Sequence, residues 1–285
     1  MKLEFTNQKQ FLAKIRKMAK ERNITPQIML QEIVLDDLID RISNSRYKNN
    51  LVLKGGFLIA SLIGTDTRAT RDIDTSIVGL PVTENKMKSV FQEICDIELP
   101  GDIITLSIVK ISEIREDDEY SGYRIHICAK VYTTQVDVKI DISTGDVITE
   151  RSIQYKHNML LEDRTIQIMA YTVETIIAEK LETIVSRADA NTRLKDFYDL
   201  YLLDHQNKAE IRFDILNRAI QATSAKRETT NQLGTYISVL TTLKVSPNLQ
   251  KLWIAYQRSN EYTHGIAFES TCNAAIDLIK KSGLE

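Results

Sequence analysis

The sequence predicts a mixed α/β (α+β) fold in which a strand-rich block follows two N-terminal helices and precedes a helical C-terminal domain. Apolar residues between positions 7 and 43 recur at helical spacing. Short apolar strands alternate with helical segments from about residue 46 to residue 150, and helical patterns follow. We therefore predict two domains, residues 1–150 and residues 151–285.

The N-terminal segment has the pattern of two helices. The first extends from about Asn7 to Arg22, and Thr25-Pro26 provides the N-cap and first-turn proline of a second that ends near Ser43. Residues 1–24 contain seven Lys or Arg against two Glu. Such a basic surface is either a solvated helix face or a contact for a nucleic-acid phosphate backbone.

The strand-rich block begins with a short strand at 51–53, followed by Lys54, a glycine pair and a helix that Gly64 can end. Further strands are predicted at 72–78, 103–109, 123–132 and 135–142, with a helix at 84–96. Predicted C-terminal helices cover 173–187 and 193–203, start after Ser246-Pro247, and cover 266–280.

Asp72 and Asp74 are the leading candidates for a functional site. Alternate residues of a strand point to one face of its sheet, so the two carboxylates are expected side by side. Carboxylates this close repel each other unless a cation lies between them or one is protonated. Mg²⁺ uses a few carboxylates together with substrate phosphates. The pair therefore predicts metal-dependent phosphoryl chemistry on a nucleotide, whereas a surface Asp-x-Asp in a loop is common by chance.

Gly55 and Gly56 lie between a strand and a helix. Helix N-termini present N–H groups that bind phosphates, although a plain tight turn would use the same pair. A third carboxylate from a neighbouring strand would complete a metal site or accept a proton from an attacking hydroxyl. Asp141 is the preferred candidate, Asp137 lies on the same face of its strand, and Asp146 is interpreted as a turn residue.

Lys180 falls within the apolar face of the helix at 173–187. An amine in a packing face is costly unless it meets an anion. It is therefore a lysine that extends to water, a structural ion pair with an aspartate, or an amine that reaches phosphate or a catalytic carboxylate. Asp196 and Asp199 lie inward on the next helix, where Arg193 provides an internal ion-pair partner. Together these residues predict a polar seam that faces the α/β domain.

Amino-acid composition and charge limit the classes of protein to which the chain can belong. With 285 residues, 43% hydrophobic and 27% charged, the chain has the character of a soluble globular protein. A net charge of −2 and a pI near 6.2 argue against a generally basic coat for nucleic acid. Three widely spaced cysteines, a polar N-terminus and the absence of a long apolar run predict a cytoplasmic protein without a membrane segment. The four histidines are each expected to be neutral and to face solvent, and no Ser-His-Asp arrangement is evident.

Five segments, in this order, carry a resemblance to a known family. They are 51–56 (LVLKGG), 68–74 (RATRDID), 139–146 (KIDISTGD), 178–182 (AEKLE) with Arg187, and 193–199 (RLKDFYD). Together with the opening helices they resemble the AbiEii/AbiGii-type toxins, nucleotidyltransferase-like proteins of bacterial toxin–antitoxin and abortive-infection systems. The resemblance spans about residues 8–205, and the helical tail is similar only in character.

The resemblance implies a DNA polymerase β-like nucleotidyltransferase domain with a mixed sheet, joined to a helical domain. It implies binding of a nucleoside triphosphate with Mg²⁺ (or Mn²⁺). In some relatives nucleotides are transferred to the 3′ end of tRNA, which blocks translation and growth, in keeping with a role in phage defence. It also implies a separately encoded antitoxin that usually represses transcription and does not need a stable complex with the toxin.

The resemblance also assigns roles to residues of this chain. Asp72, Asp74 and Asp141 would hold the metal and act catalytically, with Lys180 neutralising phosphate charge and Asp196 orienting Lys180 or contacting the base. The residues expected to bind the nucleotide are Lys54, Gly55, Gly56, Arg71, Lys180, Arg193, Lys195 and Asp199. Many nucleotidyltransferases carry Ser or Thr after the glycine pair, and this chain has Phe57. Triphosphate binding is then left to backbone N–H groups and basic side chains.

Two other functions fit the same residues. The site could transfer a nucleotide to a small molecule or to a protein side chain. Alternatively, the chain could be a non-catalytic NTP- or RNA-binding protein, which the missing hydroxyl at Phe57 favours. Three crowded carboxylates oppose that second alternative, because a pure binder gains nothing from concentrated negative charge.

Overall fold

The computed structural model describes residues 5, 7–64, 72–115, 121–145, 147–206 and 210–284. The chain divides into two compact units. The N-terminal unit comprises Met1–Gly145 with Ser152–Ala170, and the C-terminal unit comprises Asp146–Arg151 with Tyr171–Glu285. Residues 152–170 thus belong with the sheet, although the sequence places the domain boundary at residue 150.

Two helices open the N-terminal unit, as predicted. Helix α1 (Gln8–Glu21) is capped by the side chain of Asn7, which accepts from the Gln10 N–H at 3.1 Å. Helix α2 (Pro26–Asn44) is capped by Thr25, whose hydroxyl accepts from the Ile28 N–H. These side chains satisfy N–H groups that the first turn of each helix leaves without a partner.

Among the described residues a seven-stranded mixed sheet follows, in the order β3-β4-β5-β2-β1-β7-β6. Strand β2 lies between β1, to which it is antiparallel, and β5, to which it is parallel. The strands are β1 (Leu51–Lys54), β2 (Asp72–Ile77), β3 (Ile104–Arg115), β4 (Ser121–Val131), β5 (Thr134–Ser143), β6 (Ile153–Asn158) and β7 (Thr165–Ala170), with helices α3 (Gly55–Ile63) and α4 (Glu84–Cys95) between them. This arrangement puts β2 near the middle of the sheet.

The expectation of helices alone after residue 150 is wrong for β6 and β7. Strand β6 is an edge strand in which His157 is the only residue classed as buried, so its sequence lacks an apolar pattern. Strand β7 alternates in burial and pairs with β1 in parallel through Leu53 and Ala170. Strand β3 also extends to Arg115, well beyond the predicted end at residue 109.

The C-terminal unit is helical, as predicted. Its helices are α5 (Val173–Arg187), α6 (Leu194–His205), α7 (Phe213–Lys226), α8 (Tyr236–Lys244), α9 (Pro247–Ser259) and α10 (Phe268–Lys281). The helices predicted from the sequence include neither α7 nor α8. None of the helices in the described ranges combines the length and apolar character that a bilayer span requires.

Candidate functional site

Strand pairing brings three predicted residues into one row across the sheet. Asp74 lies opposite Lys54 of β1 on one side and opposite Asp141 of β5 on the other. Residues paired across adjacent strands project to the same face. Asp72 shares that face two positions earlier and lies opposite Lys139. All five side chains are partly exposed, so this face is accessible to a ligand.

The register separates the two candidates for the third carboxylate. Asp141 is the direct partner of Asp74, whereas Asp137 is four residues earlier and pairs with Cys128 of β4. Four residues of strand correspond to about 13 Å, so Asp137 lies well away from Asp74. The structure therefore brings Asp141 to the pair, in agreement with the preferred candidate. Asp146 lies outside the described residues.

Gly55 makes the closest backbone approach to this row. Its φ of +65° falls in the left-handed region, and a Cβ at this position would lie 2.1 Å from Oδ2 of Asp74. Gly55 is also the first residue of α3, where the positive end of the helix dipole favours a carboxylate. We expected the glycine pair to admit a phosphate, and at Gly55 the group admitted is the side chain of Asp74.

Arg124 is a member of this site that is absent from the candidates predicted from the sequence. It pairs with Asp141 across β4 and β5, and its Nε and Nη2 donate to the two carboxylate oxygens at 2.7 and 2.6 Å. The pKa of Arg124 is raised because of these hydrogen bonds and the charges of Asp141, Asp72 and Asp74, although burial opposes the rise. The spacing of the strands predicted at 123–132 and 135–142 contained the signal, because the short turn between them sets this register.

The donor set fits a Mg²⁺ or Mn²⁺ ion held by two protein carboxylates. Mg²⁺ commonly takes one or two carboxylates and completes its shell with phosphate oxygens and water, and Asp72 and Asp74 provide such a pair. Within the described ranges no group of three His, Cys, Asp or Glu side chains is arranged to hold a metal. Asp141 has both oxygens bonded to Arg124. Its role as a third metal ligand stays a prediction.

Phe57 of α3 and His157 of β6 lie in the interior of the N-terminal unit. Phe57 is buried, with its ring centroid 5.5 Å from that of His157. Nδ1 of His157 lies 2.7 Å from the Ser61 hydroxyl and Nε2 lies 2.5 Å from a carboxylate oxygen of Asp36. The expectation that His157 faces solvent is wrong. Ser61, His157 and Asp36 do form a Ser-His-Asp hydrogen-bond network. Because His157 is 3% exposed, this network connects α3 to α2 and β6 and does not present a nucleophile.

The predicted polar seam between α5 and α6 is present in the C-terminal unit. Nζ of Lys180 lies 2.6 Å from Asp196 and 2.8 Å from Asp199, and Nε of Arg193 donates to Asp196 at 2.9 Å. Lys180 is 8% exposed, so it does not extend to water. Burial acts to raise the pKa of Asp196, but the charges of Lys180 and Arg193 outweigh it and lower that pKa to about 2. In the seam, the positive charges of Lys180 and Arg193 thus match the negative charges of Asp196 and Asp199.

Comparison with known proteins now decides the family. Residues 37–271 match the family described as "Nucleotidyl transferase AbiEii toxin, Type IV TA system". The chain belongs to the AbiEii family. It is therefore a nucleotidyltransferase toxin of a type IV toxin–antitoxin system, with a nucleoside triphosphate as substrate and a separate antitoxin as partner.

Two solved structures are similar to this chain at low sequence identity. JHP933 from Helicobacter pylori is 16% identical, with a TM-score of 0.53, over 90% of this chain and 91% of that chain. A second H. pylori structure, provisionally described as a nucleotidyltransferase, is 15% identical with a TM-score of 0.47 over 90% and 95% of the two chains. The first shares the mixed α/β architecture. No curated protein matches the sequence significantly.

The remaining predicted nucleotide contacts of this AbiEii protein are distributed over both units. Lys54 and the glycine pair lie in the N-terminal unit, and the Lys180 seam lies in the C-terminal unit. Lys195 is exposed on α6. Arg71 lies outside the described residues. The part that each of these residues takes in nucleotide binding stays a prediction.

Proposed function

We propose that this AbiEii toxin transfers a nucleoside monophosphate from an NTP to an RNA acceptor, the 3′ end of tRNA, and thereby inhibits translation and growth. One observation carries the proposal: Asp74 stands between Lys54 and Asp141 in the sheet, with Asp72 on the same face. Cation, carboxylates and an open face are what phosphoryl-type transfer requires, since such transfer depends on positioning and charge.

The roles follow from this placement. Asp72 and Asp74 would hold Mg²⁺ (or Mn²⁺), which would supply a Lewis acid for the triphosphate. Lys54 adds positive charge beside Asp74, and Asp141 completes the site and helps to activate the acceptor hydroxyl. The hydroxyl gives up its proton, with Asp141 as the proposed acceptor, and its oxygen bonds to the α-phosphorus. The bond from that phosphorus to the oxygen that bridges the α- and β-phosphates breaks, and pyrophosphate leaves with the electron pair of that bond.

A basic surface on α1 supports RNA as the acceptor. Lys9, Arg16 and Lys20 are exposed, and their spacings of seven and four residues place them on one side of the helix. We call these three residues the basic strip. A row of cations along one helix face suits the phosphate backbone of RNA, which loses counterions when it binds.

The decisive experiment supplies labelled nucleotides to total RNA, to protein and to small acceptors in separate reactions, with and without Mg²⁺. We expect label in the tRNA fraction with Mg²⁺ and a loss of roughly 10³-fold in rate for Asp74→Asn. Asp163→Asn is the control, since it removes an exposed carboxylate elsewhere in the same unit. Wild-type transfer and toxicity in Asp74→Asn would refute the proposal, and label only in protein or small acceptors would refute the RNA acceptor.

We also propose a location in the cell for this toxin and a mode of action for its antitoxin. We place the toxin in the cytoplasm, where tRNA is found, with phage defence as its use. Its antitoxin would act without a stable toxin complex. Co-expression followed by size-exclusion chromatography tests this point, and a co-eluting toxin–antitoxin complex would refute it.

A further inference from the structure

Asp141 is positioned between two competing sources of positive charge. On one side, Arg124 of β4 binds both of its oxygens. On the other side, Asp74 of β2 is its direct strand partner, so a cation bound at Asp74 is within reach of Asp141. A two-point guanidinium–carboxylate pair is among the stronger side-chain interactions, and it occupies the oxygens that a metal would need.

The surroundings allow this pair to open. The side chain of Arg124 is 36% exposed and that of Asp141 is 20% exposed. A released guanidinium can therefore be hydrated, and the cost of a buried unpaired cation does not arise. Release of Asp141 toward β2, in contrast, adds a third negative charge beside Asp72 and Asp74, which an incoming metal ion compensates.

We propose that Arg124 is a positioning residue that holds Asp141 away from the metal position. An incoming metal ion then displaces the Arg124 guanidinium from the Asp141 carboxylate. This inference rests on the proposed function, because it takes Asp72 and Asp74 as the metal-binding pair. In the protein without metal, Arg124 then partly neutralises the negative charge of Asp72, Asp74 and Asp141. The metal site is completed by Asp141 only when a metal ion binds.

The test is Mn²⁺ binding to the full chain without nucleotide, measured from the electron paramagnetic resonance signal of free Mn²⁺. Arg124→Gln should bind Mn²⁺ on the order of tenfold more tightly than the wild type, since Asp141 no longer has a competing partner. Arg124→Lys should lie between the two, because an ammonium keeps the charge and loses the two-point geometry. It also retains a cation at Asp141 if Arg124→Gln is poorly folded.

Two further variants separate this effect from general changes in charge. Arg46→Gln removes an exposed arginine bonded to Glu93 at 2.6 Å in the same unit and should match the wild type. Arg124→Gln combined with Asp141→Asn should lose the gain in affinity. Simple damage to the fold weakens Mn²⁺ binding, so tighter binding has the opposite sign from a merely structural effect.

The outcomes also distinguish this inference from the proposed function. If Asp74→Asn abolishes Mn²⁺ binding and Arg124→Gln binds no more tightly than the wild type, Arg124 is no such residue and the metal pair stands. A gain that persists in the double variant with Asp141→Asn overturns the inference as well. If Asp74→Asn binds Mn²⁺ like the wild type, the proposed metal site fails and the inference fails with it.

Discussion

Gly55→Ala tests whether close approach of the backbone positions Asp74. The added Cβ would lie 2.1 Å from Oδ2, 2.7 Å from Cγ and 2.8 Å from Cβ of Asp74, whereas ordinary contacts begin at 3.4 Å. The carboxylate must therefore retreat by about 1 Å, a misplacement that can cost on the order of 10²-fold in rate. The left-handed φ of +65° adds roughly 1–2 kcal/mol of strain for alanine.

Gly79→Ala provides the matched control for this substitution. Gly79 has a φ of +72°, and its added Cβ would meet only Asn50 Nδ2, at 3.5 Å. Both variants should therefore lose roughly 1–2 kcal/mol in urea unfolding, with any cost of the clash added for Gly55→Ala. Only Gly55→Ala should lose nucleotide transfer about 10²-fold. Equal transfer rates in the two variants would show that Gly55 has no part in placing Asp74.

Other outcomes concern the C-terminal unit and RNA. Lys180→Met should lower the free energy of unfolding by about 3–5 kcal/mol, since two buried carboxylates lose their shared cation. Asp199→Asn combined with Lys180→Met should recover part of the lost stability, because Asp196 keeps its ion pair with Arg193. If Lys180→Met is as stable as the wild type, the polar seam does not stabilise the fold in this way. The pKa of Asp196 is lowered from 3.8 to about 2, so the unfolded chain takes up this proton first as the pH falls. Stability present above about pH 4 is therefore lost between about pH 4 and pH 2, and pH-dependent unfolding of Asp196→Asn should lack that component. Alanine substitution of the basic strip should make the negative slope of log affinity for RNA against log salt shallower by about 2. The control, which should leave that slope unchanged, is alanine substitution of three exposed lysines elsewhere in the unit, Lys48, Lys88 and Lys130.

Local patterns were sufficient for most of the elements. The predicted helix at 173–187 coincides with α5, and the strand that starts at Asp72 coincides with the start of β2. Caps at Thr25 and Ser246 mark real helix starts. These features depend on spacings of two to four residues, which the geometry of one helix or strand determines by itself.

Edge strands and buried polar residues were not accessible in this way. Strand β6 has one buried residue, His157, whose polar side chain is matched by Asp36 and Ser61 from elements far away in the chain. A buried histidine with such partners has the same local sequence as an exposed one. Its burial depends on packing between α2, α3 and β6, so the prediction that it faces solvent was wrong.

The amino-acid sequence by itself determined that two carboxylates share one strand face beyond a glycine turn, and that a lysine lies inward on α5. Tertiary structure decided their partners: Asp141 opposite Asp74, Arg124 on Asp141, and two aspartates around Lys180. The physical reason is range. Side-chain direction follows from the backbone period of one element, whereas register between distant strands and helices is settled only when the whole core packs.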